Sequence, residues 1–79
     1  MLLEIITPEK KLYTGEVDSV KLPAADGSFG ILKNHAPIIA ALKKGTVKIT
    51  DTKNVVENFE INGGVVEVLN NKVIVLAEK

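Results

Sequence analysis

Few side chains in this sequence have the type and spacing that catalysis or metal binding requires. His35 is the only imidazole and Cys is absent. Neither Ser19 nor Ser28 stands in the Gly-x-Ser-x-Gly arrangement of a serine hydrolase. A lone histidine without thiolates or a second imidazole cannot supply the usual zinc ligands. We therefore expect no catalytic residue and no metal site, and interpret His35 as a turn residue whose ring bonds nearby backbone.

The carboxylates and glycines also lack the spacing of ligand-binding motifs. The ten acidic residues are scattered and form no Asp-x-Asp-x-Asp-Gly calcium loop. Gly27 and Gly30 are not followed by the Lys-Ser or Lys-Thr pair of a phosphate-binding loop. These patterns favour solvated acids and turn glycines, so we expect no cofactor.

The charge balance and the apolar runs exclude two further classes of partner. Ten lysines offset ten acids and Arg is absent, whereas proteins that grip nucleic acid or anionic membranes usually carry a basic excess. No apolar run approaches the roughly 20 residues of a membrane helix or the roughly 7–15 of a signal-peptide core. We expect no nucleic-acid partner, no direct membrane insertion, and a chain that stays in the compartment where it is made.

Short apolar runs separated by turn residues predict one all-β domain over residues 1–79. Turn signals recur about every eight to twelve residues with β-branched runs between them, which is typical of an antiparallel sandwich or flattened barrel. The predicted turns are 24–28, 33–37, 51–54, 62–64 and 70–71. The predicted strands are 2–7, 12–16, 17–22 (stopped by Pro23), 29–32, 38–42 (leading to Gly45), 46–50, 55–61, 65–69 and 72–77.

The last hairpin is apolar at positions where a strand with one wet face would alternate. Residues 73–76 read Val-Ile-Val-Leu, so both faces of this strand need cover. Either closure of the barrel and the termini cover the outer face, or that face is a docking surface. The sequence leaves open which of the two faces is core. If Val73 and Val75 are the core residues, the outward residues of the hairpin are Val65, Glu67, Leu69, Ile74 and Leu76.

Four segments resemble the epsilon subunit of the F-type proton-translocating ATP synthase. The signature block is LPAADGSFGILKNHAPII at 22–39, and TPEKKLYTGEV at 7–17 resembles the opening of that family. The segments FEINGGVVEV at 59–68 and NKVIVLAE at 71–78 resemble its closing strands. The resemblance is collinear over essentially the whole chain.

This resemblance implies a ten-stranded β-sandwich of two five-stranded sheets and a non-catalytic role in the rotor. The expected partners are the gamma subunit, the membrane c-ring and, indirectly, the alpha/beta hexamer, at the cytoplasmic face of the bacterial inner membrane. The outward hairpin residues are then the gamma-facing set. Many relatives carry an acid where Ser28 stands, so a contact through Ser28 would be electrostatically weaker, although the nearby Asp26 could substitute. The expected c-ring-facing residues are Ala25, Asp26, Gly27, Ser28 and Phe29, with His35 in the adjoining turn.

Most members of the resembled family continue beyond the segment matching 76–78 into two C-terminal helices that regulate ATP hydrolysis. This chain stops at Lys79, so the resemblance predicts no inhibitory arm and no nucleotide site. The sequence leaves open whether Lys79 is the native C-terminus.

Two rival functions would each depend on a single residue. A lipoyl or biotin carrier would present Lys53 at the hairpin tip 51–54, but biotin carriers have Met-Lys-Met and lipoyl carriers Asp-Lys followed by a small residue. Thr-Lys-Asn matches neither motif. A small hydrolase would centre on His35.

Overall fold

Strands make up the regular structure of the part of the chain that the computed structural model describes, residues 1–25, 27–32 and 37–78. The side chains at 28, 29, 31 and 32 lie outside that description. No helix occurs among the described residues, so the predicted all-β class is confirmed. The six strands are β1 (Leu2–Ile6), β2 (Lys11–Ala24), β3 (Gly27–Leu32), β4 (Ile38–Asp51), β5 (Val56–Leu69) and β6 (Lys72–Glu78).

The strands form one sheet that closes on itself. Their order is β1-β6-β5-β4-β2-β3, and β1 also pairs with β2. Five strands therefore close into a barrel. β3 is an edge strand that pairs with the second half of β2. The β1–β6 pair is parallel and the other pairs are antiparallel. Because closure pairs β1 with strands on both sides, the barrel has few open edges.

The expected division into ten strands and two five-stranded sheets does not appear among the described residues. β2, β4 and β5 are each 14 residues long, and each joins two of the predicted strands. Pro23 and Gly45 lie inside β2 and β4 instead of ending them. Pro23 is accommodated because the β2–β4 register shifts between Lys21 and Ala24, at an irregularity of the kind where a missing N–H is tolerated.

The predicted turn at 62–64 is likewise wrong, since these residues lie inside β5. Gly63 and Gly64 have φ angles of 148° and 146°, a region that only glycine enters without strain. Buried positions change parity across them, from Ile61 before to Val66 after. The two glycines therefore form a corner at which β5 changes the face it turns to the core.

Two predicted hairpin turns are confirmed. Asn70 and Asn71 have φ angles of 51° and 63° and connect β5 to β6 in the two-residue form that favours asparagine. At the β4–β5 tip, Asp51 Oδ1 accepts hydrogen bonds from the backbone N–H of Lys53 (2.7 Å) and Val55 (3.0 Å). The predicted turn at 24–28 joins β2 to β3, with residue 26 outside the described residues, and most of the predicted turn at 33–37 also lies outside them.

The core fills the barrel and draws on every strand of its wall. Val73 and Val75 on β6 are fully buried, so theirs is the core face of this strand. Full burial of an aliphatic side chain contributes about 1.5–3 kcal/mol, so this cluster is the main source of stability. Its members are Met1, Leu3, Ile5, Val17, Val20, Leu22, Leu42, Val47, Ile49, Ile61, Val66, Val68, Val73, Val75 and Ala77.

Candidate docking surface

A stripe of apolar side chains crosses four strands on the outside of the barrel. The register places Val65 of β5 opposite Ala41 of β4 and Leu76 of β6, and Leu76 opposite Ile6 of β1. Residues in register across neighbouring strands share a face. Val65 and Leu76 keep 41% and 53% of their surface exposed, so the described residues leave much of this stripe open to solvent.

Two neighbouring rows of the register widen the stripe into a face. One row runs from Ile39 through Glu67 and Ile74 to Glu4. Leu69, Lys72 and Leu2 form the other, and Leu69 is 51% exposed. We call this surface the outer face; its members are Leu2, Glu4, Ile6, Ile39, Ala41, Val65, Glu67, Leu69, Lys72, Ile74 and Leu76.

All five outward residues expected of the last hairpin lie on the outer face. Val65, Glu67, Leu69 and Leu76 are exposed and Ile74 is half-buried. The sequence did not single out the β1 and β4 members, because cross-strand register between distant segments has no local signal. Exposed apolar area of this kind on a folded domain commonly marks a protein contact.

Charged groups of the outer face are concentrated at Glu4. Its carboxylate accepts a hydrogen bond from Lys11 Nζ at 2.9 Å and lies 3.7 Å from Lys72 Nζ. The hydrogen bond from Lys11 is the largest influence, and with the charges of both lysines it lowers the pKa of Glu4 against a smaller, opposing effect of desolvation. Both ammonium groups are therefore engaged within the chain.

An open groove of about 430 Å³ lies at one end of the outer face. It runs between the start of β4 and the end of β5. Ile39, an apolar side chain of this groove, is 72% exposed, and Glu67 is the charged residue among its described lining residues. The lining residues are Pro37, Ile38, Ile39, Glu67, Val68 and Leu69.

A second concavity, of about 280 Å³, lies beside the β1–β2 turn and is lined by Thr7, Pro8, Glu9 and Glu78. The Thr7 hydroxyl is occupied in closing that turn, since it bonds both the carbonyl and the N–H of Lys10. Within residues 1–25, 27–32 and 37–78 no group of three or more His, Cys, Asp or Glu side chains could hold a metal ion. The same part of the chain contains no helix long and apolar enough to span a membrane.

The expected c-ring loop is described only at its ends. Ala25 is exposed, Gly27 has a φ of 126°, and the Ala25 N–H donates to the carbonyl of Ala41 at 3.0 Å. Asp26 and His35 lie outside the described residues, as do the side chains of Ser28 and Phe29. The hydrogen bond joins this loop to the outer face, which includes Ala41.

The whole chain matches one protein family. Residues 1–79 match the family described as ATP synthase, Delta/Epsilon chain, beta-sandwich domain. The chain is 47% identical over 76 residues to the ATP synthase epsilon chain of Chlorobium limicola, covering 96% of this chain and 86% of that one. It is 46% identical over 78 residues to the epsilon chain of Desulfatibacillum aliphaticivorans, covering 99% of this chain and 55% of that one.

Solved structures share the fold at low sequence identity. A chain of the Euglena gracilis mitochondrial ATP synthase OSCP/F1/c-ring structure matches with a TM-score of 0.94 and 16% identity, over all of this chain and 51% of that one. A chain of the Tetrahymena thermophila mitochondrial ATP synthase central stalk and c-ring matches with a TM-score of 0.83 and 23% identity, over all of this chain and 63% of that one. The continuous family match and the bacterial epsilon-chain relatives place this chain in the ATP synthase delta/epsilon chain family.

Proposed function

We propose that residues 1–79 form a single non-catalytic domain that couples two parts of the ATP synthase rotor. In this proposal the outer face binds the gamma subunit and the β2–β3 loop rests on the polar loops of the c-ring. The observation that carries it is the exposed apolar outer face, which extends over four strands of a closed barrel. Burial of such a face against one partner would stabilise the complex at about 25 cal/mol per Å² of apolar area.

The barrel suits a mechanical role because its wall is continuous. β4 and β5, which carry part of the outer face, are each 14 residues long and continue beyond that face into the rest of the wall. Closed pairing of β1 with β2 and β6 resists local opening, since the backbone hydrogen bonds must break together. A stiff body of this kind can transmit displacement between two partners without an active site of its own.

The proposed c-ring contact consists of Ala25, Asp26, Gly27, Ser28 and Phe29, with His35 in the adjoining turn. Its support is the family resemblance of residues 22–39, together with the hydrogen bond that ties Ala25 to Ala41 of the outer face. Through this bond the c-ring loop and the gamma-facing surface would move as one unit. Asp26 would supply the acidic group that many relatives carry at the position of Ser28.

The remaining features of the proposal follow from the bacterial relatives. The chain would act at the cytoplasmic face of the bacterial inner membrane, peripheral to it, and would reach the alpha/beta hexamer indirectly through gamma. It would need no cofactor.

Binding of the purified full chain to the gamma subunit tests the docking surface. Leu76→Asp places a charge in the apolar stripe and should abolish measurable binding while the protein remains folded. Val56→Asp is the matched control, because Val56 is 48% exposed on β5 but lies outside the outer face. Normal gamma binding by folded Leu76→Asp would refute this assignment of the gamma-facing surface.

The loop is tested in the assembled enzyme. Because the chain has no native cysteine, a Ser28→Cys variant carries a single thiol that can be cross-linked to a cysteine placed in the c-subunit polar loop. Thr52→Cys, at the β4–β5 tip, is the control and should not cross-link. Equal cross-linking by both variants, or none by Ser28→Cys, would contradict the proposed c-ring contact.

A further inference from the structure

Glu67 lies in the middle row of the outer face and has apolar neighbours on both adjoining strands. The register places it opposite Ile39 of β4 on one side and Ile74 of β6 on the other. Along its own strand the residues on the same face are Val65 and Leu69. Glu67 also lines the open groove at the β4–β5 end of the face.

No group of the described chain balances the Glu67 carboxylate. Two ammonium groups near this face, those of Lys11 and Lys72, both pair with Glu4. Among residues 1–25, 27–32 and 37–78, no hydrogen bond or ion pair reaches the side chain of Glu67. Glu67 is solvated while the outer face is exposed, so the free protein tolerates it.

Docking changes this balance because the partner removes water from Glu67. An unpaired carboxylate that is taken out of water is strongly unfavourable. Backbone groups cannot supply the missing donor, since β5 is paired with β4 and β6 on both sides of Glu67. Since no described residue supplies a cation to Glu67, a cation of the partner is the natural compensating group.

The lining of the groove indicates what kind of side chain carries that cation. Five of its six described lining residues are apolar, and Ile39 and Leu69 are exposed. Lysine and arginine combine an aliphatic stem, which packs on apolar surface, with a charged head. The apolar lining residues of the groove suit the aliphatic stem of such a side chain, and the Glu67 carboxylate suits its charged head.

We propose that the groove receives a lysine or arginine side chain of the gamma subunit, whose stem packs against Ile39 and Leu69 and whose cation binds Glu67. This inference rests on the proposed docking of gamma on the outer face and adds the chemistry of the contact. Glu67 then makes docking specific for a partner surface that carries this cation. An apolar surface without it would bury the Glu67 carboxylate with no compensating charge.

The first test compares gamma binding by the full-length wild type, Glu67→Gln and Glu57→Gln. Glu67→Gln keeps the shape of the side chain but removes its charge, and should weaken binding by about 10- to 100-fold. Glu57→Gln removes an exposed charge from the same strand outside the outer face and should bind like the wild type. Unchanged or tighter binding by Glu67→Gln, or by Glu67→Leu, would overturn the proposal.

The second test is the pH dependence of gamma affinity, measured for wild type and Glu67→Gln. A cation in the groove stabilises the ionised carboxylate, so acidification that protonates this carboxylate should reduce the advantage of wild type over Glu67→Gln. The other described charged groups of this region, among them Glu4, Lys11, Lys43 and Lys72, are the same in both proteins. A wild-type affinity that rises relative to the variant on acidification would show that the buried carboxylate has no cationic partner.

Leu76→Asp separates failure of this inference from failure of the proposed function. If Leu76→Asp abolishes gamma binding and Glu67→Gln does not affect it, the outer face is the docking surface but the groove takes no cation. If neither substitution affects binding, gamma docks elsewhere and both proposals fail.

Discussion

The α-carbon of Gly64 in β5 lies directly against the main chain of β6 at Leu76. A β-carbon at this position would overlap the Leu76 carbonyl oxygen and would stand 3.1 Å from the α-carbon of Ala77. The φ of Gly64, 146°, also belongs to a region that side chains exclude. Close approach and backbone conformation therefore require glycine at the corner of β5 for separate reasons.

We expect Gly64→Ala to destabilise the domain by about 3 kcal/mol or more, because backbone atoms must move to admit the methyl group. The measurement is the free energy of unfolding in urea. Gly30→Ala is the control, since its β-carbon would meet nothing closer than 3.9 Å and Gly30 is exposed in β3. Equal stability of the two variants would show that the β5 corner relaxes easily.

Adjacent residues of β6 should respond oppositely to the same substitution. Val75→Asp puts a carboxylate into the fully buried core and should prevent folding, at a cost above about 4 kcal/mol. Leu76→Asp changes an outward residue and should alter stability by only about 1 kcal/mol. Circular dichroism and thermal unfolding distinguish the two outcomes; a folded Val75→Asp protein would contradict the β6 register.

Glu4 should make stability depend on pH in the acid range. Its pKa is lowered in the folded protein, chiefly by the hydrogen bond from Lys11. The stabilisation is therefore present above the pKa of the unfolded chain and is lost as the pH falls through the folded-state pKa. Glu4→Gln should lose less stability than wild type between pH 7 and about pH 3, measured by urea unfolding at each pH.

Lys11→Gln provides the matching variant for this prediction. It removes the donor of the 2.9 Å bond and leaves Lys72 in place, so its acid sensitivity should lie between those of wild type and Glu4→Gln. A wild-type pH profile in both variants would show that the Glu4 pair does not contribute to stability.

The β5–β6 turn should distinguish alanine from glycine at position 70. Asn70 has a φ of 51°, and a residue with a β-carbon and no local side-chain bond is disfavoured there by about 1–2 kcal/mol. Asn70→Ala should lower the unfolding free energy by that amount. Asn70→Gly should equal or exceed the wild type, and loss of stability in both variants would assign Asn70 a side-chain role beyond its backbone conformation.

Turn chemistry explains which parts of the fold the sequence could predict. The Asn70–Asn71 turn and the Asp51 tip were predictable because asparagine at positive φ and an aspartate that caps its own turn are local effects. The same reasoning from turn-forming residues led to the wrong prediction of a turn at 62–64. Glycines that permit a turn equally permit a corner within a strand, and only the pairing of Gly63 and Gly64 with β4 and β6 decides between them.

The features of the docking surface also separate into those that the sequence could predict and those that it could not. The sequence alone determined the all-β class, the two apolar faces of residues 73–76 and the family signature at 22–39, because composition, periodicity and motif are properties of neighbouring residues. Only the tertiary structure decided that Ile39 and Ala41 of β4 and Ile6 of β1 join the outward hairpin residues, and that Glu67 lies in a groove among them. Cross-strand register depends on contacts between residues far apart in the chain, which no local pattern encodes.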